Sequence, residues 1–370
     1  MRIVKNILVG FLVLVAVLVL GLYLFMQQKS FGTAPSGKRL ERIQQSPNYK
    51  DGQFINLDET PMMAKGVTYP DLLYKYFTKS KDTEPAQPLP SIRTNLLNLG
   101  DQPVIVWFGH STYLISIDGK NILVDPVFSE RASPVQYMGP KEYAFTNSYS
   151  VNDLPPLDLV IISHDHYDHL DYNTIKAIQS KTKAFCVGLG IGAHLEYWGV
   201  KPEAIHELDW WEGENILPGL RITSTPARHF SGRGFKRYQT LWSSFVLEVG
   251  GKKIFVGGDS GYSDVFSTIG KKFGPFDIVM LECGQYNSSW PNIHMTPEQT
   301  IQAGIDLKSA ALMPVHWGKF TLSLHPWNEP ADRALAAAEK QQVNLITPLM
   351  GDPLSLDTLR ADNRWWKGLK

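Results

Sequence analysis

Between residues 164 and 169 the chain reads His164-Asp-His166-Tyr-Asp168-His169. Imidazoles and a carboxylate at i, i+2, i+4 and i+5 cannot all project alike from one helix or one strand, so the run belongs on a loop folded around something. Neutral imidazole nitrogen and carboxylate oxygen are the ligands of a borderline divalent ion such as zinc. Of ten histidines, three fall within these six residues, a concentration a solvated polar loop has no need for. Further along, His229, Asp259, His294 and His316 recur at or near the ends of apolar runs, as a site assembled from distant segments would require.

The elements that must carry these residues read as alternating strands and helices. Val104 to Phe108, Tyr113 to Ile117 and Asn121 to Asp125 form a meander, with a turn at Asp118-Gly119. Leu159 to Ile162 leads into Ser163-His164, Arg221 to Thr225 toward Arg228-His229, Ile254 to Val256 toward Gly258-Asp259, and Ala311 to Met313 toward His316. Helices are expected at Tyr172 to Gln179, Pro297 to Ala303 and Ala331 to Gln341. Thr296 is a plausible N-cap ahead of a proline start for the second of these. Polar residues at strand ends in such a pattern point to a layered α/β architecture. In 370 residues, 43% hydrophobic, there is material for one large or two ordinary domains, which excludes disorder. The charge balance, 36 basic against 36 acidic, removes the bulk basic field on which nonspecific nucleic-acid binding relies, and no nucleic-acid partner is expected. Cys186 and Cys283 allow at most one bridge, so this is no disulfide scaffold; Cys283 reads as a buried thiol.

Ile7 to Met26 carries no charge, and at helical rise its twenty residues span roughly 30 Å, the hydrocarbon thickness of a bilayer. An uncleaved anchor is expected. A signal peptide competes, with Ser30-Phe31-Gly32 a weak cleavage site and the apolar run longer than a usual signal core. Arg2 and Lys5 face Lys29, Lys38, Arg39 and Arg42 across the span, so orientation is nearly balanced, with a lean to a catalytic body outside the cytoplasm. The organisation expected is an anchor at 1–28, a tether and lead-in at 29–95, and a hydrolase domain at 96–370.

The HxHxDH run followed by a distant His, an Asp and a His resembles the metallo-β-lactamase superfamily. Trp107-Phe-Gly-His-Ser111, Asp125-Pro-Val-Phe128, Arg131-Ala-Ser-Pro134, Gln136-Tyr-Met-Gly-Pro140, Leu208-Asp-Trp-Trp211, Gly258-Asp-Ser-Gly-Tyr262, Gly274-Pro-Phe-Asp277 and His316-Trp-Gly318 narrow it. Over roughly residues 100 to 330 the chain is similar to the N-acylphosphatidylethanolamine-hydrolysing phospholipase D family. Two features depart from the mammalian members: the amino-terminal apolar helix, and Glu282-Cys283-Gly284, acidic where they are apolar. The resemblance implies a four-layer αββα sandwich with two zinc ions per chain at one edge. His164, His166 and His229 would hold the first ion and Asp168, His169 and His316 the second, with Asp259 bridging. Two such ions would hold a shared water, lower its pKa and polarise the phosphoryl oxygen it attacks, releasing N-acylethanolamine and leaving phosphatidate. Asp168 and Asp259 would then be catalytic as well as ligands.

For substrate contacts the resemblance implies His294 against a phosphate oxygen and Gln136 and Tyr137 along a substrate channel. The Tyr167 hydroxyl, inside the metal loop, would reach the phosphate. His110 and Asp125 are expected to brace metal ligands from behind. His194, His206 and His325 read as structural. Trp365 and Trp366 in the basic patch Arg364-Trp-Trp-Lys367 either pack on the domain or dock on a bilayer. Two other functions compete with a phosphodiesterase: a lactonase or carboxylic-ester hydrolase of the same superfamily, and a non-catalytic envelope scaffold, for which seven intact ligands would have no chemical use.

Overall fold

A computed structural model describes residues 2–360 and 364–369. In chain order the elements are helices α1 (Arg2–Met26) and α2 (Gly37–Gln45), short strands β1 (Tyr49–Lys50) and β2 (Gln53–Phe54), and helix α3 (Tyr69–Phe77). Strands β3 (Val104–Trp107), β4 (Tyr113–Ile117), β5 (Lys120–Val124) and β6 (Leu157–Ile162) follow. Next come α4 (Tyr172–Ile178), β7 (Thr182–Gly188), α5 (Gly192–Tyr197), β8 (Ile205–Leu208), β9 (Gly213–Leu217), β10 (Leu220–Pro226), β11 (Ser243–Val249) and β12 (Lys252–Val256). The chain closes with α6 (Val265–Lys272), β13 (Ile278–Glu282), α7 (Pro297–Asp306), β14 (Leu312–Val315), α8 (Glu329–Gln341) and β15 (Pro353–Ser355).

The strands form two large sheets, ordered β15-β3-β4-β5-β6-β7-β8 and β14-β13-β12-β11-β10-β9, with β5 to β8 mutually parallel and β12 to β14 mutually parallel. Strand periodicity explains the layering. Leu159 and Ile161 of β6 enter the cluster between the sheets with Ile254 and Val256 of β12 and Ile278 and Met280 of β13. Their neighbours Val160 and Ile162 pack outward against Ile175 and Ile178 of α4 and Leu195 of α5. Phe255, Val279 and Leu281 pack outward on the other side against Phe266 and Ile269 of α6 and Ile301 of α7. Alternate residues thus face opposite layers, and both faces of each sheet are covered, as parallel strands require. The result is the expected helix-sheet-sheet-helix sandwich. Strand limits differ from expectation by at most two residues, and α7 runs on to Asp306 because its capping box starts it firmly and Ile301, Ala303 and Leu307 keep packing along its length.

The lead-in is folded onto the body. Ile43 of α2 and Phe54 of β2 are buried with Trp210, Leu241 and Trp242, each worth roughly 1.5–3 kcal/mol of burial. Trp366 is buried in the core between the sheets, its indole N–H donating to Asp332 (2.8 Å), and Trp365 stacks on Trp317 with ring centroids 5.3 Å apart. Of the two readings of this pair, packing on the domain is the one the structure shows. Cys186 and Cys283 are buried free thiols. Helix α1 has no buried residue and is long and apolar enough to cross a membrane.

Candidate metal centre

Six strands or their extensions end at one edge of the sandwich and deliver the polar residues there. Asp125 follows β5, Ser163-His164 follow β6, His229 follows β10 after two residues, Asp259 follows β12 after two glycines, Glu282 ends β13 and His316 follows β14. Crevices outside the carboxyl ends of parallel strands are where open α/β sheets place ligands. Three of the residues are turned inward by left-handed backbone: His110 (φ 52°), Asp125 (φ 39°) and His316 (φ 67°). Such conformations are costly outside glycine and concentrate where side-chain aim matters. Close approach demands glycine in the Asp259 turn, where a Cβ on Gly261 would lie 1.8 Å from the Asn292 carbonyl oxygen.

The structure brings all seven expected ligands together. Ligand atoms of His164, His166 and His229 lie within 4.8 Å of one another, as do those of His164, His169 and Asp259, and those of His110, Asp168, His169 and His316. His164 Nε2 is 2.8 Å from His166 Nδ1, and His229 Nε2 is 3.3 Å from the same atom. Asp259 Oδ2 lies 3.2 Å from His169 Nε2, and Asp259 Oδ1 lies 3.1 Å from His316 Nδ1. Yet neither His169 Nε2 nor Asp259 Oδ1 has a hydrogen-bond partner among the described residues, although both are buried. Buried polar atoms that converge without hydrogen-bond geometry are costly by themselves. They fit an ion held between them.

The electrostatics agree. Burial, then the neighbouring imidazoles, holds His164 and His229 well below the usual histidine range, which leaves them neutral and able to coordinate. Burial takes His166 down to about 4. Burial would lower His169 too, but Asp259, Asp168 and Asp125 surround it and push it well above its ordinary value. Burial, then the charge of Glu282, pushes Asp259 up to about 6. The carboxylates thus demand positive charge at a point where the other imidazoles refuse it, and a divalent cation would supply it.

Bracing residues stand behind this set. Asp125 accepts from His169 Nδ1 (2.8 Å), from the Ser163 amide (2.7 Å) and from Ser163 Oγ (2.7 Å), and Ser163 Oγ is 3.0 Å from His164 Nδ1. His110 Nε2 donates to Asp168 (2.9 Å). His294 lines the cavity, its ring centroid 5.1 Å from His229 and 5.2 Å from His316, with Nδ1 2.7 Å from Glu282 Oε2.

Other expected contacts are not where the resemblance would put them. Tyr167 turns away from the metal cavity: its hydroxyl donates to the Arg233 carbonyl oxygen (2.6 Å) and its ring lies under the Arg233 guanidinium at 4.2 Å, so it serves packing. Gln136 is occupied with its own turn, bonded both ways to the Arg131 backbone (3.0 and 3.2 Å), and Tyr137 is exposed; neither lines the cavity. His194 is structural, with Nδ1 accepting from the Thr33 amide and Nε2 donating to Asp165.

Residues that sequence reading passed over also shape the site. Asn56 of the lead-in clamps His229, donating to its carbonyl oxygen (2.8 Å) and accepting from its amide (3.1 Å). Met62, Met63, Tyr69 and Leu72, also of the lead-in, join Phe230, Trp290, Ile293 and Leu322 to wall a cavity of about 300 Å³ over the metal cluster. Glu282 is fully buried and accepts from the Ser260 amide (2.8 Å) and the Met295 amide (3.3 Å), tying the Asp259 turn to the His294 loop. A lone Asn and a scatter of Met carry no periodicity or spacing, so only packing reveals them; the acidity of Glu282 was the one visible signal.

Comparison with known proteins agrees with this arrangement. Residues 120–317 match the beta-lactamase superfamily domain. An uncharacterised protein of Mycobacterium tuberculosis is 42% identical over 88% of each chain. The N-acyl-phosphatidylethanolamine-hydrolyzing phospholipase D 1 of Caenorhabditis elegans is 30% identical over 66% of this chain and 74% of its own. Among solved structures, a metallo hydrolase of the archaeon Ignicoccus hospitalis shares the fold, with a TM-score of 0.53 at 20% identity over 68% of this chain and 97% of its own.

Proposed function

Since the chain belongs to the metallo-hydrolases of the β-lactamase superfamily and has N-acylphosphatidylethanolamine-hydrolysing phospholipase D homologues, we propose that it is a membrane-anchored phosphodiesterase that cleaves N-acylphosphatidylethanolamine to N-acylethanolamine and phosphatidate. The observation that carries the reading is the juxtaposition of a seven-ligand cluster with an apolar wall. Hydrophobic Met62, Met63, Leu72, Phe230, Trp290 and Leu322 suit acyl chains, and the His and Asp residues sit at the floor where a phosphodiester would come to rest.

His164, His166 and His229 would hold one zinc ion, Asp168, His169 and His316 a second, and Asp259 both. When bound, such ions supply Lewis acidity toward a phosphoryl oxygen and an activated water at neutral pH. The chain's own residues set the stage. Asp125 fixes the ring of His169 by accepting the hydrogen bond from Nδ1–H, which leaves Nε2 free to aim inward. Likewise His110 orients Asp168. His294, held by Glu282, is placed at the cavity to contact a phosphate oxygen. The aromatic and methionine wall excludes bulk water, which strengthens each polar contact below it. Helix α1 would keep the enzyme at its lipid substrate.

The deciding experiment offers the purified, zinc-loaded full-length protein N-acylphosphatidylethanolamine in mixed micelles and identifies the products by mass. N-acylethanolamine and phosphatidate are expected, and Asp259→Asn should abolish both. Turnover of lactones or simple carboxylic esters alone would overturn the reading.

A further inference from the structure

We infer that the rim of the metal cavity is itself a bilayer-docking surface, formed by Phe235 and the outer face of α3, which lays the cavity mouth on the membrane that α1 enters. The inference rests on the phospholipid reading of the cavity and names the surface by which that lipid is reached.

Three observations carry it. First, the exit of α1 is fixed beside the rim. Met26 packs so closely on Gly234 that a Cβ there would meet its terminal methyl at 3.0 Å. The Phe25 ring lies 5.2 Å from Phe31, itself 6.3 Å from Tyr167, and the Ser30 carbonyl accepts from the buried Arg233 guanidinium (2.7 Å). A bilayer holding α1 therefore lies next to the loop that contains Gly234 and Phe235.

Second, the same loop runs into the cavity mouth. Arg237 lies over the Phe230 ring at 5.3 Å and reaches Met62 Sδ (3.2 Å), and all three line the cavity with Tyr69, the first residue of α3.

Third, the outward side of this rim is apolar and uncovered. Phe235 is 80% exposed, and Leu73 and Phe77, one turn apart on α3, are 58 and 77% exposed. Single exposed apolar residues are ordinary, but a group gathered around one opening marks an interaction site. Lys236 and Arg237 follow Phe235, the pattern of a segment that sits among phosphate headgroups with its aromatic ring below them. Because α1 is connected to the body through only a few residues, the rim meets the bilayer at a high effective concentration and needs little area of its own.

The test uses the full-length protein in vesicles. Because Cys186 and Cys283 are buried, a fluorophore can be placed singly at Phe235→Cys, Leu73→Cys, Lys340→Cys at the end of α8, or Leu24→Cys in α1 as a positive control. Lipids brominated on their acyl chains should quench the labels at 24, 235 and 73 and leave 340 unchanged. Quenching at 24 alone overturns the inference. So does shielding at 235 and 73 that depends on protein density rather than on the lipid, which would mean that a second copy covers the rim. In parallel, the double variant Phe235→Glu/Leu73→Glu should lose at least tenfold of its turnover of N-acylphosphatidylethanolamine in vesicles and stay within twofold on a short-chain analogue below its micelle concentration. Equal losses on both substrates overturn the inference. If the unaltered protein turns over neither substrate, the phospholipase reading fails, while the quenching pattern still decides the docking surface.

Discussion

Asp125 shows how one residue is made to matter at a distance from the chemistry. It sits in left-handed backbone, buried, with both oxygens committed to Ser163 and to His169 Nδ1. Asp125→Ala should leave the fold in place and cost 10- to 100-fold in zinc affinity or activity, read by metal titration and micelle turnover. Tyr167→Phe, by contrast, removes one hydrogen bond to the Arg233 carbonyl; kcat and KM should stay within about twofold and stability fall by about 1 kcal/mol. A phosphate-binding Tyr167 would instead show a large rise in KM. Asp165 yields a pH signature. Burial works to raise its pKa, but the hydrogen bond and charge of His194 and the charges of His166 and Arg233 outweigh that and hold it at about 2. A carboxylate lowered on folding stabilises above its ordinary value near 3.8, and that stability is lost as pH falls toward 2, in all about 2 kcal/mol. In urea titrations, Asp165→Asn should lie about 2 kcal/mol below the parent at neutral pH, with the gap closing between about pH 4 and pH 2. A constant gap would remove the assignment.

At the scale of elements, the site is a set of strand ends, and the sequence pattern reached most of them. Apolar runs ending in Ser163-His164, Gly258-Asp259 and Val315-His316 were readable because buried parallel strands are continuous apolar stretches that stop where the chain turns polar. The glycines of the Asp259 turn have a stricter reason. Gly261→Ala would drive a methyl into the Asn292 carbonyl, on the loop that carries His294, and should destabilise by about 1–3 kcal/mol while lowering zinc occupancy, measured by thermal unfolding and metal analysis. Unchanged stability would mean that the two loops are free of each other. Helix α3 falls within the expected tether and lead-in, and the side it would present was not legible. Only two of its residues turning into the cavity, Tyr69 and Leu72, identify which face remains outside.

Across the whole molecule, Asp125, Asp168 and Asp259 crowd around His169 while His164, His166 and His229 are held neutral, an arrangement that added cationic charge would stabilise. Chelation should therefore lower the melting temperature as well as abolish activity. An ion present at a thousand times its dissociation constant contributes about 4 kcal/mol to the folded state. Differential scanning calorimetry with and without chelator, followed by readdition of zinc, checks both effects; a melting temperature indifferent to chelation would sink the dinuclear assignment. The same view explains the amino-terminal third. The charge-free run Ile7 to Met26 within α1 can be recognised from composition, since a run of that length without a charge has few uses in water.

By itself the sequence determined a layered α/β pattern, the clustered ligand types of the His164 to His169 run and the apolar span, because each of these is written in periodicity, residue chemistry or composition along a continuous stretch; the four-layer sandwich and the full seven-residue set came from the family resemblance. Tertiary structure decided the rest. Tyr167 and Asp165 stand inside the metal run but turn out of it, toward Arg233 and His194, and Gln136 folds back on its own turn. Asn56, Met62 and Leu72, more than ninety residues before the metal loop, close over the site. Spacing along the chain states which residue types are available. Which way a side chain points is settled only by what packs beside it, and those neighbours come from distant segments that no local pattern connects.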